Sequence, residues 1–388
     1  MTIRTGLERI LDDCPADLRG RRVGLLTNHA GLDENLRPAP VLLHEAGDIN
    51  LTRLFAPEHG LYGEVPAGVP VQDRRDPATG LDVVSLFGPN RSASPEMVEG
   101  LDLVLVDLPD IGSRYYTLLG TTMSLLAACR TAGVQVVVLD RPNPLGGRVE
   151  GQRAVAPRFR SLVGAVAAPI RHGLTLGEQC LLAAREAGQE DSVRVVAMEG
   201  WRRSMRWPDL GRPWVPLSPN TDSYDMAQLY PGTCLIEGTN LSEGRGTASP
   251  FIQMGAPWLD AFALARELEG KGGEGVWYRP AFFLPTYSKH AGSVCQGVMM
   301  HVDPRMDVDV LPGSLHAIAA MMRHPESQFL PARGDVHHPE PAFDLLSGDD
   351  RLRLDLAAGK PVEEILADWD RALADWPDVR ATVSLYPD

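Results

Sequence analysis

The sequence predicts an α/β fold in which the first 150 residues form a parallel sheet covered by helices on both faces. Short and nearly continuous apolar runs recur there, with helical patterns between several of them, such as residues 116–132. Strands without polar alternation, separated by helices, are typical of a parallel sheet that is buried on both sides. The predicted strands span residues 22–27, 51–56, 82–87, 102–108 and 134–140.

The rest of the chain is less regular. A helix is predicted at residues 172–188, where Thr175 and Glu178 match a capping box, and a strand is predicted at 193–199. A loop-rich stretch follows over residues 200–256. A chain of 388 residues is longer than the length at which a single hydrophobic core stops growing. We therefore expect two parts, residues 1–150 and 151–388. The second part is predicted to contain helices at 257–269, 311–324 and 361–376 and a strand at 297–302.

Composition excludes several classes of function. The apolar share of 44% and the charged share of 23% are those of a globular protein. A net charge of −14 argues against nucleic-acid or anionic membrane surfaces, which need clustered cations. Five separated cysteines without a C-x-x-C pair fit free thiols in a reducing compartment. The N-terminus lacks the apolar core of a signal peptide, so a cytoplasmic protein is expected from the sequence as it stands.

The loops at the predicted strand ends are the expected ligand site, because ligands of parallel α/β sheets bind beyond the carboxyl ends of the strands. All of these loops are rich in glycine, proline and polar residues. They lie at residues 28–31, 57–63, 88–92, 109–117 and 141–147. The second loop, within "FAPEHGLYGE", places an acid and an imidazole, Glu58 and His59, beside Gly60 and Gly63.

The motifs of nucleotide-binding proteins and serine hydrolases are missing from the sequence: there is no G-x-G-x-x-G, Walker loop, H-E-x-x-H or G-x-S-x-G. Carboxylates in glycine-rich loops remain, and they suit general acid/base work such as glycosidic cleavage. Structural roles are open alternatives: Glu58 and His59 could hold their loop, Asp110 could pair with Arg114, and a Glu243–Arg245 pair could staple another loop. The carboxylates are Glu58, Glu64, Asp110, Glu237 and Glu243.

Six ordered motifs resemble the NamZ-type exo-β-N-acetylmuramidases. They are "FAPEHGLYGEVPAG", "DLPDIGSRYYTLLGTTM", "LDRPNPLGG", "GLTLGE", "SPNTDSYDMAQLYPGTCLIEGTNLSEGRGTASPF" and "GAPW". The resemblance implies a glycoside hydrolase that removes terminal N-acetylmuramic acid (MurNAc) from the non-reducing end of peptidoglycan fragments such as MurNAc-GlcNAc. It also implies a Rossmann-like N-terminal subdomain and a smaller α/β C-terminal subdomain, with the active cleft between them.

Site residues follow from the resemblance by their position in these motifs. Glu58 of the P-E-H-G motif is expected to be the catalytic acid, and His59 is expected to orient or polarise it. Asp110 or Glu243 could act as base or nucleophile, or the 2-acetamido oxygen of the substrate could attack in their place. No metal or other cofactor is expected, since no His/Asp ligand spacing stands out.

Substrate binding is predicted from the chemistry of MurNAc. Its 3-O-lactyl carboxylate calls for a cation, and Arg114 and Arg245 are the candidates because arginine binds carboxylates in a bidentate manner. Asn220 and Asn240 could bind acetamido or hydroxyl groups, and Tyr116 could stack on the ring or hydrogen-bond to it. The predicted substrate-binding set is Asn28, Arg114, Tyr116, Asn143, Asn220, Asn240 and Arg245.

Two other classes of function stay open at this point. One is a non-catalytic muropeptide-binding protein, and the other is an amino-sugar amidase or deacetylase, which usually needs a metal. The expected partner is a MurNAc-containing disaccharide or muropeptide, with no nucleic acid and no membrane. Relatives are often secreted, whereas no export signal is visible, so the chain is expected to act on imported fragments in cell-wall recycling, or its true start lies upstream.

Overall fold

The predicted N-terminal strands are found within two residues of their predicted bounds in the computed structural model, which describes residues 3–89, 92–153, 155–334 and 339–388. The predicted loop at residues 88–92 lies partly outside the described residues. The strands of this part are β1 (Arg22–Thr27), β2 (Asn50–Ala56), β3 (Arg74–Arg75), β4 (Asp82–Ser85), β5 (Leu103–Asp107), β6 (Gln135–Leu139) and β7 (Val193–Val196).

Over the described residues these strands form a seven-stranded sheet in the order β3-β4-β2-β1-β5-β6-β7. Neighbouring strands pair in parallel, except that β3 pairs antiparallel with β4 at one edge. The chain builds outward from β1 through β2 and β4, then returns to place β5, β6 and β7 on the other side. The direction of winding therefore changes between β1 and β5, and the crevice at such a point is the usual ligand site.

Both faces of the sheet are buried because successive side chains of a strand point to opposite sides. Leu25 and Leu105 pack on one face with α1 and α2, whereas Leu26 and Val106 pack on the other face with α3 and α4. This explains why the strands read as continuous apolar runs. The helices are α1 (Gly6–Asp12), α2 (Ala39–Glu45), α3 (Thr117–Ala132) and α4 (Leu176–Glu186).

Helices α3 and α4 begin at the carboxyl edge of the sheet. The predicted capping box of α4 is present: Thr175 Oγ1 accepts the Glu178 N–H at 3.3 Å, and the Glu178 carboxylate accepts the Thr175 N–H at 3.0 Å. Helix α3 follows the loop after β5 and ends at Gly133, whose φ of 70° is left-handed. Their first turns therefore place Tyr116 and Gln179 beside the crevice.

The C-terminal part contains a smaller antiparallel sheet in the order β8-β10-β9, built from β8 (Gln253–Ala256), β9 (Val276–Phe283) and β10 (Cys295–Val302). The sequence reading missed β9, in which Pro280 interrupts the apolar pattern, and α5, which lies in the predicted loop-rich stretch and contains Pro231. The helices of this part are α5 (Tyr224–Thr233), α6 (Ala261–Glu267), α7 (Leu311–Met322), α8 (Ala342–Ser347), α9 (Arg351–Ala357), α10 (Val362–Ala372) and α11 (Trp376–Ala381).

The large sheet extends beyond the first 150 residues. Strand β7 pairs with β6 through Val193 to Val196, and α4 packs beside it. The division predicted at residue 150 therefore falls inside the segment that builds this sheet, because the sheet needs α4 and β7 to cover β6. In the part of the chain that the structure describes, no helix is long and apolar enough to cross a membrane.

Candidate active site

The loops after β1, β2 and β5 bring several predicted site residues to one edge of the parallel sheet. Asn28 follows β1, Glu58 and His59 follow β2, and Asp110 follows β5. Tyr116, the residue before α3, joins them there. Each of these side chains belongs to a residue that is at most 8% exposed. Separate loops thus build one largely buried polar site at the predicted crevice.

Glu58 is held by its own loop. Its Oε1 accepts the N–H of Gly68 at 2.8 Å, so Oε2 is not engaged in that hydrogen bond. The ion pair of this loop joins Arg74 to Glu64 at 2.5 Å and does not include Glu58. The carboxyl of Glu58 is therefore positioned by a neutral backbone donor and is 7% exposed.

His59 fastens the turn that carries Glu58. Its φ of 74° is left-handed, which is strained for a residue with a Cβ atom. The ring Nδ1 lies 2.8 Å from the carbonyl oxygen of Val65, and the N–H of Val65 donates to the carbonyl of His59 at 3.1 Å. Because a carbonyl accepts, Nδ1 carries the proton. His59 thus closes the loop, and its predicted action on Glu58 stays a prediction.

The side chain of His29 packs beneath the same loop. Its Nε2 donates to the carbonyl of Pro216 at 2.7 Å. Burial lowers the pKa of His29, so the ring is uncharged near neutral pH. The loop approaches the ring at Gly63, where an added Cβ would lie 2.4 Å from His29 Cε1. Gly63 is therefore required both for its φ of 72° and for this close approach.

Gly63→Ala is expected to lower kcat/KM for the substrate about tenfold, because its Cβ must push the Glu58 loop away from His29. The left-handed backbone alone costs an alanine about 1–2 kcal/mol. Gly80→Ala is the matched control, since Gly80 has a φ of 70° and open space around its Cα. Steady-state kinetics and thermal unfolding of both variants separate strain from the clash. Equal losses in the two variants would contradict a role for the His29 contact.

Asp110 is surrounded by neutral donors. Its Oδ1 accepts the N–H of Ile111 at 2.8 Å, and its Oδ2 accepts Nε2 of Gln179 at 2.9 Å. His172 Nε2 lies 3.2 Å from the same Oδ2. The alternative in which Asp110 pairs with Arg114 is wrong, because the contacts of the Arg114 guanidinium are with backbone carbonyls. Sequence reasoning identified neither Gln179 nor His172 as a partner of Asp110.

The phenol of Tyr116 is close enough to Asp110 and Glu58 to feel the charges of both. Burial raises the pKa of its phenol, and the charges of Asp110 and Glu58 raise it further, so the hydroxyl keeps its proton. The Ser218 hydroxyl is a neighbour, but the two hydroxyls do not meet hydrogen-bond geometry. The ring packs edge-to-face on Tyr230 with centroids 6.2 Å apart. Tyr116 therefore has a buried hydroxyl without a partner among the described residues, near Glu58 and Asp110.

Arg114 does not bind substrate in this structure. The residue is 0% exposed, and its guanidinium donates to backbone carbonyls at distances from 2.7 to 3.0 Å. Burial lowers the pKa of Arg114 to about 10, which still leaves it charged at neutral pH. The predicted contact with a lactyl carboxylate is thus wrong, because no face of this side chain reaches the crevice. The carbonyls belong to Gln152, Ala168, Leu346 and Ser347.

Three of the predicted substrate-binding asparagines shape loops. In each, Oδ1 accepts a backbone N–H and Nδ2 donates to a backbone carbonyl, at distances from 2.8 to 3.1 Å. Asn143 is 1% exposed, and Asn240 is tied to the segment that follows α7, so neither is placed to bind a sugar. Asn28 fastens the crevice edge to the carbonyl of Leu217. The three residues are Asn28, Asn143 and Asn240.

Asn220 connects the crevice to the smaller sheet. Its Oδ1 accepts the hydroxyl of Tyr287 at 2.8 Å, and Tyr287 lies in the loop between β9 and β10. The asparagine is buried, whereas the tyrosine is 51% exposed. An exposed aromatic ring beside an amide at the edge of a polar crevice is suited to contact a sugar ring. The predicted role of Asn220 in substrate binding stays a prediction.

Glu243 and Arg245 belong to a buried ionic cluster. Arg245 Nη2 lies 2.8 Å from Glu237 Oε1 and its Nε lies 3.3 Å from Glu243 Oε1. Burial raises the pKa of Glu237, but Arg245 outweighs it and lowers that pKa overall. Lys289 Nζ completes the cluster 3.0 Å from Glu243 Oε2. The loop staple is confirmed, and Glu243, 2% exposed between two cations, is not a free catalytic carboxylate.

Lys289 was not identified as a site residue from the sequence. Besides Glu243, its ammonium donates to the carbonyls of Ile236, Glu237 and Leu241 at 2.9 to 3.3 Å. The rarity of lysine was a weak signal for a specific role, since Lys289 is one of three lysines in a chain that carries 37 lysines and arginines. The ammonium of Lys289 therefore ties the Glu243 loop to the end of the segment that follows α5.

A cavity opens between the ends of β1, β5 and β6. Asp110 and Arg141 lie in its wall, and Arg141 is held by a bidentate pair with Asp107 at 2.6 and 2.8 Å. The remaining wall is mainly apolar and includes the edge-to-face pair Trp207 and Trp214, with ring centroids 5.2 Å apart. The cavity therefore joins a carboxylate of the site to a surface suited to the apolar faces of sugar rings.

Comparisons with known proteins agree with this architecture. The family model of the N-terminal part of exo-beta-N-acetylmuramidase NamZ matches residues 23–225, and that of its C-terminal part matches residues 228–386. The peptidoglycan beta-N-acetylmuramidase NamZ of Bacillus subtilis strain 168 is 36% identical over 99% of this chain and 91% of its own length. Two crystal structures of DUF1343 family proteins from Bacteroides fragilis superpose with TM-scores of 0.88 and 0.76, at 31% and 26% identity. The first alignment covers 99% of both chains and the second covers 100% of both.

Proposed function

Because the chain belongs to the family of exo-beta-N-acetylmuramidases NamZ, we propose that it is a glycosidase that releases MurNAc from the non-reducing end of peptidoglycan fragments such as MurNAc-GlcNAc. The observation that carries the proposal is the full-length match to this family together with the position of Glu58 at the carboxyl end of β2. The match to a muramidase does not favour the alternatives of a binding protein or an amidase.

We assign Glu58 as the general acid. Cleavage of a glycosidic bond needs a proton on the leaving oxygen as the C1–O bond breaks. The Gly68 N–H fixes Oε1, and Oε2 is left to deliver the proton. Tyr116, whose phenol keeps its proton, can donate a hydrogen bond to the sugar or to the developing charge beside it.

We assign Asp110 rather than Glu243 as the second catalytic group. Both are buried, but Glu243 is neutralised by Arg245 and Lys289, whereas the hydrogen bonds to Asp110 come from neutral groups. Asp110 also lies in the wall of the cavity. It can activate water, attack C1, or hold the acetamido N–H of a substrate that assists its own cleavage. The anomer formed first, observed by proton NMR, distinguishes inversion from the two retaining routes.

The direct test is release of MurNAc from MurNAc-GlcNAc, with 4-nitrophenyl β-MurNAc and β-GlcNAc as chromogenic substrates. We expect turnover of the MurNAc compounds and little of the GlcNAc compound. Among the described residues no group of three or more His, Cys, Asp or Glu side chains could hold a metal ion, and a parallel assay with EDTA tests metal dependence directly. Binding without turnover would support the binding-protein alternative, and inhibition by EDTA would support the amidase or deacetylase alternative.

Arg245 remains the proposed contact for the lactyl carboxylate. Its Nε and Nη2 engage Glu237 and Glu243, and the side chain is 16% exposed, so one edge of the guanidinium is left for a ligand. Arg245→Lys is expected to keep the charge but to weaken competitive inhibition by MurNAc about tenfold relative to GlcNAc. Arg74→Lys, at the Glu64 pair, is the control. An unchanged ratio of inhibition constants would assign the lactyl group to another residue.

We also propose that the reaction takes place in a reducing compartment, on fragments produced by cell-wall turnover. All five cysteines are free and buried, and burial raises the pKa of Cys129 to about 12. Thiols of this kind fit an environment that keeps them reduced. Fractionation of the native host, with the activity assayed in each fraction, tests the location.

A further inference from the structure

We infer that His172 and Gln179 are positioning residues that hold the carboxyl group of Asp110 aimed into the crevice. The inference rests on the glycosidase function proposed above, in which Asp110 is the second catalytic group. It assigns a role to two fully buried polar side chains that the proposed reaction does not otherwise use.

The two residues approach Asp110 from behind the crevice. Gln179, in the first turn of α4, donates to Asp110 Oδ2 at 2.9 Å. His172, in the segment that leads to α4, places Nε2 3.2 Å from the same oxygen, off the ideal hydrogen-bond direction. Hydrogen bonds at catalytic groups are often poorly aligned before substrate binds and tighten in the complex. With the Ile111 N–H on Oδ1, both carboxylate oxygens are located by donors.

The tautomer of His172 is fixed by the backbone. The N–H of Leu174 donates to Nδ1 at 3.1 Å, so Nδ1 is an acceptor and the ring proton lies on Nε2, toward Asp110. Protonation of Nδ1 would place two donors against each other. This tautomer directs the Nε2 proton of His172 toward Asp110 Oδ2, 3.2 Å away.

Unpaired polar atoms collect around this group. Gln179 Oε1, His172 Nε2 and the Tyr116 hydroxyl are all buried without a hydrogen-bond partner among the described residues. Buried polar groups that serve only stability are generally paired, because an unpaired one costs about 1–3 kcal/mol. Gln179 thus uses its donor on Asp110 and leaves its acceptor unsatisfied. A role in positioning Asp110 explains why this unsatisfied acceptor is tolerated.

Other ionisable groups facing Asp110 do not supply a competing positive charge. They are Tyr116 before α3, Cys180 on α4, and Arg141 across the cavity. Burial raises the pKa of both the phenol and the thiol, so each stays neutral, and Arg141 is paired with Asp107. The hydrogen bonds that the Asp110 carboxylate accepts come from Gln179 and Ile111, and His172 Nε2 lies 3.2 Å from its Oδ2.

The test is the pH dependence of kcat/KM in Gln179→Met and His172→Phe, which remove one donor each. A base or nucleophile must be ionised, and loss of a donor to the carboxylate raises its pKa. We expect the acidic limb to move up by about one pH unit per donor, while the basic limb stays in place. His172→Gln, which retains an N–H donor, is expected to restore most of the acidic limb.

The matched control is Gln228→Met, which changes another buried glutamine, on α5. A loss of activity that is equal at all pH values, with no movement of the acidic limb, would overturn the inference and leave a structural role. If the wild type itself releases no MurNAc, the proposed function fails, and the positioning of Asp110 is tested by a measurement that needs no substrate. In that case the ¹³Cγ signal of Asp110, assigned by its loss in Asp110→Asn, should titrate about one pH unit higher in Gln179→Met. An unchanged titration would overturn it.

Discussion

Glu58→Gln is expected to lower kcat for release of MurNAc from MurNAc-GlcNAc by roughly 10²–10⁴-fold, with little change in fold or substrate affinity. The amide keeps an Oε1 acceptor for the Gly68 N–H, so the loop should hold its shape. What it lacks is a proton that can be transferred to the leaving oxygen. The loss should therefore appear in the chemical step rather than in binding.

Leaving-group dependence makes this prediction more specific. 4-Nitrophenolate leaves with little help from an acid, whereas a sugar hydroxyl does not, so the loss should be clearly smaller on 4-nitrophenyl β-MurNAc than on the disaccharide. Glu64→Gln is the matched control, because Glu64 lies in the same loop but pairs with Arg74. Equal losses on both substrates would remove Glu58 as the acid, as would near-wild-type activity on the disaccharide.

Much of the fold could be predicted because its determinants are local. The apolar runs that became β1, β2 and β5 are continuous in sequence, and the Thr175–Glu178 box is a four-residue pattern. The crevice followed from the general rule that parallel strands collect their following loops at one edge. The position of Glu58 at this edge could be predicted for the same reason, since it follows β2 after one intervening residue and stands in a motif with two glycines.

The site's cations could not be predicted in the same way, because their roles depend on distant partners. Arg114 reads as a ligand for a carboxylate, yet its carbonyl partners include residues more than two hundred positions away. From the sequence, Glu243 is interpreted as a free acid. In the structure, Lys289 from the loop between β9 and β10 forms an ion pair with it and compensates its charge. A residue type specifies what a side chain can do, and long-range packing decides what it does.

The same distinction explains why the partners of Asp110 were missed. His172 and Gln179 lie 62 and 69 residues beyond it in sequence, and they meet it only because α4 packs beside the strand that follows α3. Arg114, the nearest cation in sequence, was the natural guess for its partner. The structure replaces that charged partner with neutral donors, which changes the chemistry available to the carboxylate.

Arg114→Met is expected to destabilise the protein by about 4 kcal/mol or more, and to leave the preference for MurNAc unchanged in whatever fraction folds. Methionine fills part of the space but donates no hydrogen bond, so several buried carbonyls lose their partner, at about 1–3 kcal/mol each. Because Arg114 links the loop before α3 to the end of α8, the loss should appear as a lower midpoint of urea unfolding.

The informative comparison is Arg53→Met. Arg53 also donates to backbone carbonyls, those of Met97 and Glu99 at 2.8 and 3.1 Å, but it is only partly buried. Water can replace the arginine there, so a loss of about 1 kcal/mol is expected. If Arg114→Met unfolded like the wild type and lost its selectivity for MurNAc, the lactyl-binding role would have to return to Arg114. Both arginines donate to backbone carbonyls, through four hydrogen bonds at Arg114 and two at Arg53, so burial and the larger number of bonds together account for the expected difference.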